Sequence, residues 1–183
     1  MAKLTVGDRF PAATLQDIDG AKVDFPAVFK NAPATVIFFY RGRWLPWCRT
    51  QVTAFVDEWE RYLEGKVQIL GVSVESPEEG KKFLVRVTRD CQEDRPHIPL
   101  DPYPVRLLSD SDATLIRACG TENEGHWAGT IAAPVTYVVD PSGKVKWVYV
   151  SDSAADRPSP VALAKAACAV AAGKETPADY PGK

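Results

Sequence analysis

The chain has 183 residues, 45% of them hydrophobic, enough for one domain with a core of its own. Its 22 Lys and Arg stand against 24 Asp and Glu and are scattered, so no basic surplus exists to neutralise a phosphate backbone and nucleic acid is not an expected partner. No apolar run is long enough to span a bilayer, and Met1 to Asp8 lacks a signal peptide's apolar stretch; a cytoplasmic protein with no membrane partner is expected.

Val6 to Gly20 sets turn residues around short apolar pieces and reads as a small hairpin or cover. Ala34 to Tyr40 is a nearly unbroken β-branched and aromatic run, the pattern of a central strand covered on both faces. From Cys48 the apolar residues Val52, Phe55, Val56, Trp59 and Leu63 recur at three and four, predicting one helix that Gly65 stops. Val67 to Val74 is a second buried strand. Ser76-Pro77-Glu78-Glu79 then supplies a cap, a first-turn proline and early acids for a helix that carries Phe83, Leu84 and Val87 and frays near Cys91. Arg95 to Pro104, which contains His97, is too proline-rich for regular structure. A short strand (105–108), a short helix (109–118), a loop around His126 and Trp127, a hairpin across Asp140-Pro141-Ser142-Gly143 and a last helix from Ser159-Pro160 to Gly173 complete the order. Two βα units joined to an antiparallel hairpin imply an α/β fold with a central mixed sheet and helices on both faces. The domain is expected to cover residues 1–173, followed by a loose tail over 174–183.

Cys48 falls where the first buried strand turns into a helix. Backbone N–H groups in a helix's first turn have no intrahelical partner and carry partial positive charge, so they favour a thiolate there. Arg41, Arg43 and Arg49 are nearby cations that would act in the same sense, or are simply solvated charges. Trp44, Leu45, Pro46 and Trp47 shape the corner, the two tryptophans either flanking a groove or packing the turn. Leu45 is where a second cysteine would complete a Cys-x-x-Cys pair, so one thiol stands where two would form a disulfide. The bland alternative for Cys48 is an inert buried thiol. Cys91, at the expected frayed helix end, is the candidate to resolve an oxidised Cys48; Cys119 and Cys168 read as packing residues. Neither the four cysteines nor the two histidines have metal-site spacing, so no metal and no other cofactor is expected.

With the elements in this order, the chain resembles the peroxiredoxin-like branch of the thioredoxin fold, the alkyl hydroperoxide reductase and thiol-specific antioxidant superfamily. The matching residues are Val6-Gly7-Asp8 with Pro11 and Asp19-Gly20, then Phe39-Tyr40-Arg41-Gly42 with Trp44, Pro46 and Cys48-Arg49, and Leu107-Leu108-Ser109-Asp110. Ala133 to Asp140 and Arg157-Pro158-Ser159-Pro160 follow. The resemblance implies a thioredoxin-like α/β/α sandwich of peroxiredoxin-type topology. It makes Cys48 the peroxidatic cysteine, attacking a peroxide O–O bond and becoming a sulfenic acid that an external thiol reduces. It sets Ala133-Pro134 on the cis-proline that thioredoxin-fold proteins hold beside the reactive cysteine, and it suggests a homodimer. Two departures stand out. Leu45 replaces the family's hydroxyl residue three before the cysteine, and Pro134 replaces an arginine on the strand. A thiol-dependent peroxidase or related redoxin is therefore the leading expectation. Its alternatives are a monothiol thiol-disulfide oxidoreductase and a non-catalytic binding or regulatory protein that kept the fold.

Overall fold

A computed structural model describes residues 3–96, 103–125 and 129–176. In chain order the strands are β1 (Ala13–Asp17), β2 (Lys22–Phe25), β3 (Thr35–Phe39), β4 (Gln68–Ser73), β5 (Val105–Ser109), β6 (Glu122–Gly125), β7 (Gly129–Ala132), β8 (Val135–Val139) and β9 (Val145–Val150). The helices are α1 (Pro46–Asp57), α2 (Trp59–Glu64), α3 (Pro77–Asp94), α4 (Thr114–Ala118) and α5 (Pro160–Ala171), with a 3-10 turn at Ala27–Asn31. Seven strands form one mixed sheet in the order β2-β1-β5-β4-β3-β8-β9. β3, β4 and β5 run parallel, as βα crossovers require, while β8 lies antiparallel to β3.

Every residue of β3 is buried, because side chains alternate between two covered faces. Val36, Phe38 and Tyr40 pack against Val52 and Phe55 of α1, Phe83 and Val87 of α3 and Leu163 of α5. Ile37 and Phe39 face the other way, towards Phe10, Phe25, Phe29 and Leu115. The opening hairpin is present, and it extends the main sheet: β1 pairs antiparallel with both β2 and β5.

Four expectations are corrected. The helix after Cys48 is two helices broken at Glu58, and the break shifts the helical phase, so Tyr62 is buried while Leu63 is 60% exposed. Glu122–Gly125 and Gly129–Ala132 pair as a separate two-stranded sheet. Helix α3 does not fray at Cys91: the Ser76 cap and Glu79 form a full capping box, and the helix runs on to Asp94. Cys168 is half-exposed, its thiol donating to the Arg61 carbonyl at 3.3 Å. At the expected start of the tail, the Thr176 hydroxyl donates to the Lys146 carbonyl at 3.1 Å. His97, most of the proline-rich loop, His126, Trp127 and residues 177–183 lie outside the described residues.

Candidate functional site

The corner between β3 and α1 is set by local chemistry. Gly42 has φ +149, and a Cβ there would lie 2.5 Å from Trp44 Nε1, so only glycine lets the indole fold back over the turn. The Leu45 N–H closes the turn onto the Gly42 carbonyl at 3.2 Å. Leu45 is the N-cap of α1 in extended conformation and offers no side-chain cap, and Pro46 fills the first helical position, where its missing N–H costs nothing. Cys48 is thus the third helical residue, inside the first turn, with its side chain fully buried.

Among the described residues one cation touches this sulfur: Arg157 Nη2 lies 3.5 Å from Cys48 Sγ. Its Nη1 donates to the Ala154 and Asp156 carbonyls at 3.0 and 2.6 Å, which fixes the guanidinium plane. The loop before it is held by the Asp156 carboxylate, which accepts from the Tyr149 hydroxyl at 2.5 Å and the Asp152 N–H at 2.8 Å. Arg157 Nε is buried without a partner. A guanidinium's Nε–H and Nη2–H point along one edge, as Arg106 shows by placing both on Asp17 Oδ2 at 3.0 and 2.6 Å. In Arg157 the same edge has one donor on sulfur and one donor free.

The sequence-derived cations are arranged otherwise. Arg43 gives its N–H to Glu75 Oε1 at 2.8 Å and its guanidinium to Glu75 and Glu79 at 3.8 and 3.6 Å. Burial pushes the Glu75 carboxyl above its usual range; the Arg43 N–H pulls it back, and Glu79 pushes it up further. Arg49 pairs with Asp90 at 3.5 Å. Arg41, two residues past the end of β3, is half-buried, with Nε unpartnered. Arg157 had a signal in the sequence, the Arg-Pro-Ser-Pro entry to the last helix, but only folding brings residues 109 apart in the chain together.

Trp44 and Trp47 are 38% and 47% exposed at the corner, and Leu45 is half-buried against the core cluster that holds Cys48. Pro134 is buried just before β8, where the pairing of Phe39 with Val135 brings it beside the end of β3. Its peptide bond is trans: among the described residues the one cis peptide is Phe25-Pro26, so the expected cis-proline is corrected. β8 is also tied to α1 by a hydrogen bond of 3.2 Å from Gln51 Nε2 to Thr136 Oγ1. Cys91 is buried in the same cluster as Cys48, its sulfur 3.6 Å from the Tyr103 hydroxyl, which donates to the Val52 carbonyl. Cys119 lies on the opposite face of the sheet. All four cysteines are free thiols, and among the described residues no three His, Cys, Asp or Glu side chains cluster as a metal site would need.

A sheet of this order with helices on both faces and a cysteine in the first turn after β3 defines a thioredoxin-type α/β/α protein. Solved structures agree on the fold: peroxidoxin BcpB of Mycobacterium tuberculosis matches with a TM-score of 0.70 at 21% identity, covering 92% of this chain and 96% of that one. A cysteine-to-serine mutant of peroxiredoxin 6 from Arenicola marina matches at 0.78 and 18% identity, covering 98% and 81%. Residues 6–148 match the AhpC/TSA family model, and the chain belongs to that family as a peroxiredoxin-like protein. Chloroplastic peroxiredoxin Q of Sedum lineare is 30% identical over 148 residues, 81% of this chain and 70% of that protein. Its counterpart in Gentiana triflora is also 30% identical, over 81% of this chain and 60% of that protein.

Proposed function

We propose that this chain is a thiol-dependent peroxidase in which Cys48 is the nucleophile and Arg157 the cation that serves it. The observation that carries the reading is the 3.5 Å contact between Arg157 Nη2 and a buried sulfur in a helix's first turn. Guanidinium and first-turn dipoles both favour negative charge on sulfur. The Cys48 thiolate attacks the peroxide oxygen that bears hydrogen, the O–O bond breaks, and the alkoxide or hydroxide leaves and takes a proton from water. Sulfur loses two electrons and becomes a sulfenic acid, and the peroxide gains them. The free Nε of Arg157, beside the Nη2 on sulfur, is a donor for the departing oxygen. An external thiol then displaces the sulfenic hydroxyl as water, and a second thiol releases Cys48 as a disulfide forms between the two reductants.

The family membership and the peroxiredoxin relatives support this activity. Four unbridged cysteines suit a reducing, cytoplasmic setting, and among the described residues no helix is long and apolar enough to cross a membrane. The exposed Trp44 and Trp47 suit a homodimer contact, which light scattering of the purified protein tests. For the chemistry, reduced protein is exposed to hydrogen peroxide and to tert-butyl hydroperoxide with a dimedone-type trap present, and intact mass is followed. Rapid labelling confined to Cys48 is expected. Fast disulfide exchange with no peroxide labelling would instead fit the monothiol oxidoreductase, and no reaction of either kind would fit a binding protein.

A further inference from the structure

A cavity of about 100 Å³ lies between α1, α2 and the chain leading into α5. Phe55, Pro158 and Leu163 give it apolar walls, and Gln51, Tyr62 and Arg157 bring polar side chains to it. Cys48 is not among the lining residues. What joins the cavity to the sulfur is Arg157, whose Nη2 lies on Cys48 Sγ.

Three buried polar atoms of this lining have no partner: Gln51 Oε1, Tyr62 Oη and Arg157 Nε. Gln51 and Tyr62 are 6% and 1% exposed, so bulk water does not serve them. Gln51 Nε2 donates to Thr136 Oγ1 at 3.2 Å, which leaves Oε1 as an acceptor. Burial, with the Glu58 charge second, pushes the Tyr62 phenol up, so its hydroxyl keeps a proton to donate. Arg157 has Nη1 on two carbonyls and Nη2 on sulfur, so Nε is a charged donor to spare. None of the lining residues is acidic. Buried polar atoms are nearly always paired and buried charges balanced, so these three atoms describe a missing complement.

The complement is an anion with two acceptor oxygens, one O–H and a compact apolar body. A small 2-hydroxy carboxylate meets all of these conditions. Its carboxylate accepts from Arg157 Nε and the Tyr62 hydroxyl, its own hydroxyl donates to Gln51 Oε1, and its alkyl group rests on Phe55 and Leu163. An amino acid would leave ammonium N–H groups without acceptors, and a phosphate brings more oxygens than two donors serve. A dry cavity of about 150 Å³ takes a benzene, so this one admits a three-carbon hydroxy acid and excludes a fatty acid.

We infer that this cavity is an effector site for a compact 2-hydroxy carboxylate such as lactate, and that the bound anion slows Cys48 through Arg157. The anion offsets the charge that faces the sulfur and occupies the Nε assigned above to the departing oxygen. Only this control of Cys48 rests on the peroxidase reading; the site itself does not.

The test titrates the reduced full chain with lactate, propionate and lactamide by calorimetry. Lactate is expected to bind with a Kd of about 1 mM, within reach of so small a ligand. Propionate, which leaves Gln51 Oε1 unpaired, is expected to bind about fivefold more weakly, and uncharged lactamide about tenfold. Ala54→Leu, which fills the cavity from a half-exposed position on α1, is expected to weaken lactate about tenfold. Saturating lactate is expected to slow sulfenic acid labelling of wild-type Cys48 by hydrogen peroxide about fivefold. Lactate that binds no more tightly than both analogues, or equally well to Ala54→Leu, overturns the site; the wild-type series decides even if that variant does not fold. Binding that leaves the labelling rate unchanged overturns the control of Cys48. No labelling with or without lactate overturns the peroxidase reading and the control with it, while the titrations still decide the site.

Discussion

Cys48 and Cys119 are both completely buried thiols, yet they sit in opposite chemical settings. Cys48 is in the first turn of α1 on one face of the sheet, with a guanidinium on its sulfur. Cys119 caps the C-terminal end of α4 on the other face, where helix carbonyls gather, and its charged neighbour is the Asp110 carboxylate. Burial first, and Asp110 second, push the Cys119 thiol far above its usual range. Burial therefore does not distinguish the proposed nucleophile from a packing residue here. The end of the helix and the sign of the neighbouring charge do.

The sharpest way to break that contrast is to remove each thiol in turn. Cys48→Ser is expected to abolish peroxide-dependent sulfenic acid labelling, whereas Cys119→Ser should label within twofold of wild type. The latter should lose stability by about 1–3 kcal/mol in urea melts, because it buries a hydroxyl with no prepared partner. Labelling that persists on Cys119 in the Cys48→Ser protein would sink the comparison.

Charge comes next. Arg157→Gln removes the cation from sulfur and should slow Cys48 oxidation on the order of a hundredfold, the usual cost of one donor at a developing charge. Arg49→Gln, whose guanidinium is engaged by Asp90, should change the rate by less than twofold. Equal effects of the two variants would mean that general surface charge, rather than contact, favours the thiolate.

Leu45→Thr tests the helix end. A threonine hydroxyl at this N-cap can accept the N–H of the third helical residue, which is Cys48 itself. The cap contributes about 1 kcal/mol, offset by the loss of a half-buried leucine's apolar area. Stability should hardly move in thermal melts, while the peroxide rate should rise several-fold because a hydroxyl now stands beside the reacting oxygens. A slower reaction would show that the leucine serves the site as it is.

The contrast between the two cysteines was only half legible in the sequence. A β-branched and aromatic run followed by proline and cysteine marks a buried strand feeding a helix, and both properties are local. The capping box at Ser76 and the hairpin before Gly143 were readable for the same reason. Arg157 was not, because its approach to Cys48 depends on the Asp156 contacts that fold its loop back over α1. Nearest-in-sequence cations were the natural guess, and two of them are held by carboxylates on α3 or beside it. The break at Glu58 was hidden too, since Leu63 continues the apolar period of α1 as well as Tyr62 does after a one-residue phase change.

The smallest effect separates the two causes acting on Cys119. Asp110 is itself buried, and its two oxygens accept the Leu115 and Ile116 N–H groups at 3.2 and 2.8 Å at the start of α4. Burial raises its carboxyl above the ordinary 3.8, with the backbone donors pulling the other way. The folded state therefore holds this proton more tightly than the unfolded chain. Stability falls as pH rises from 3.8 through the higher folded value, and Asp110→Asn should flatten that stretch of the pH–stability curve. The substitution also removes the charge facing Cys119 while leaving the burial intact. Because burial is the larger cause, Cys119 should stay unreactive towards peroxide in Asp110→Asn. A newly labelled Cys119 would mean that the carboxylate alone kept it silent, and that the sign of one neighbouring charge outweighs burial on both faces of the sheet.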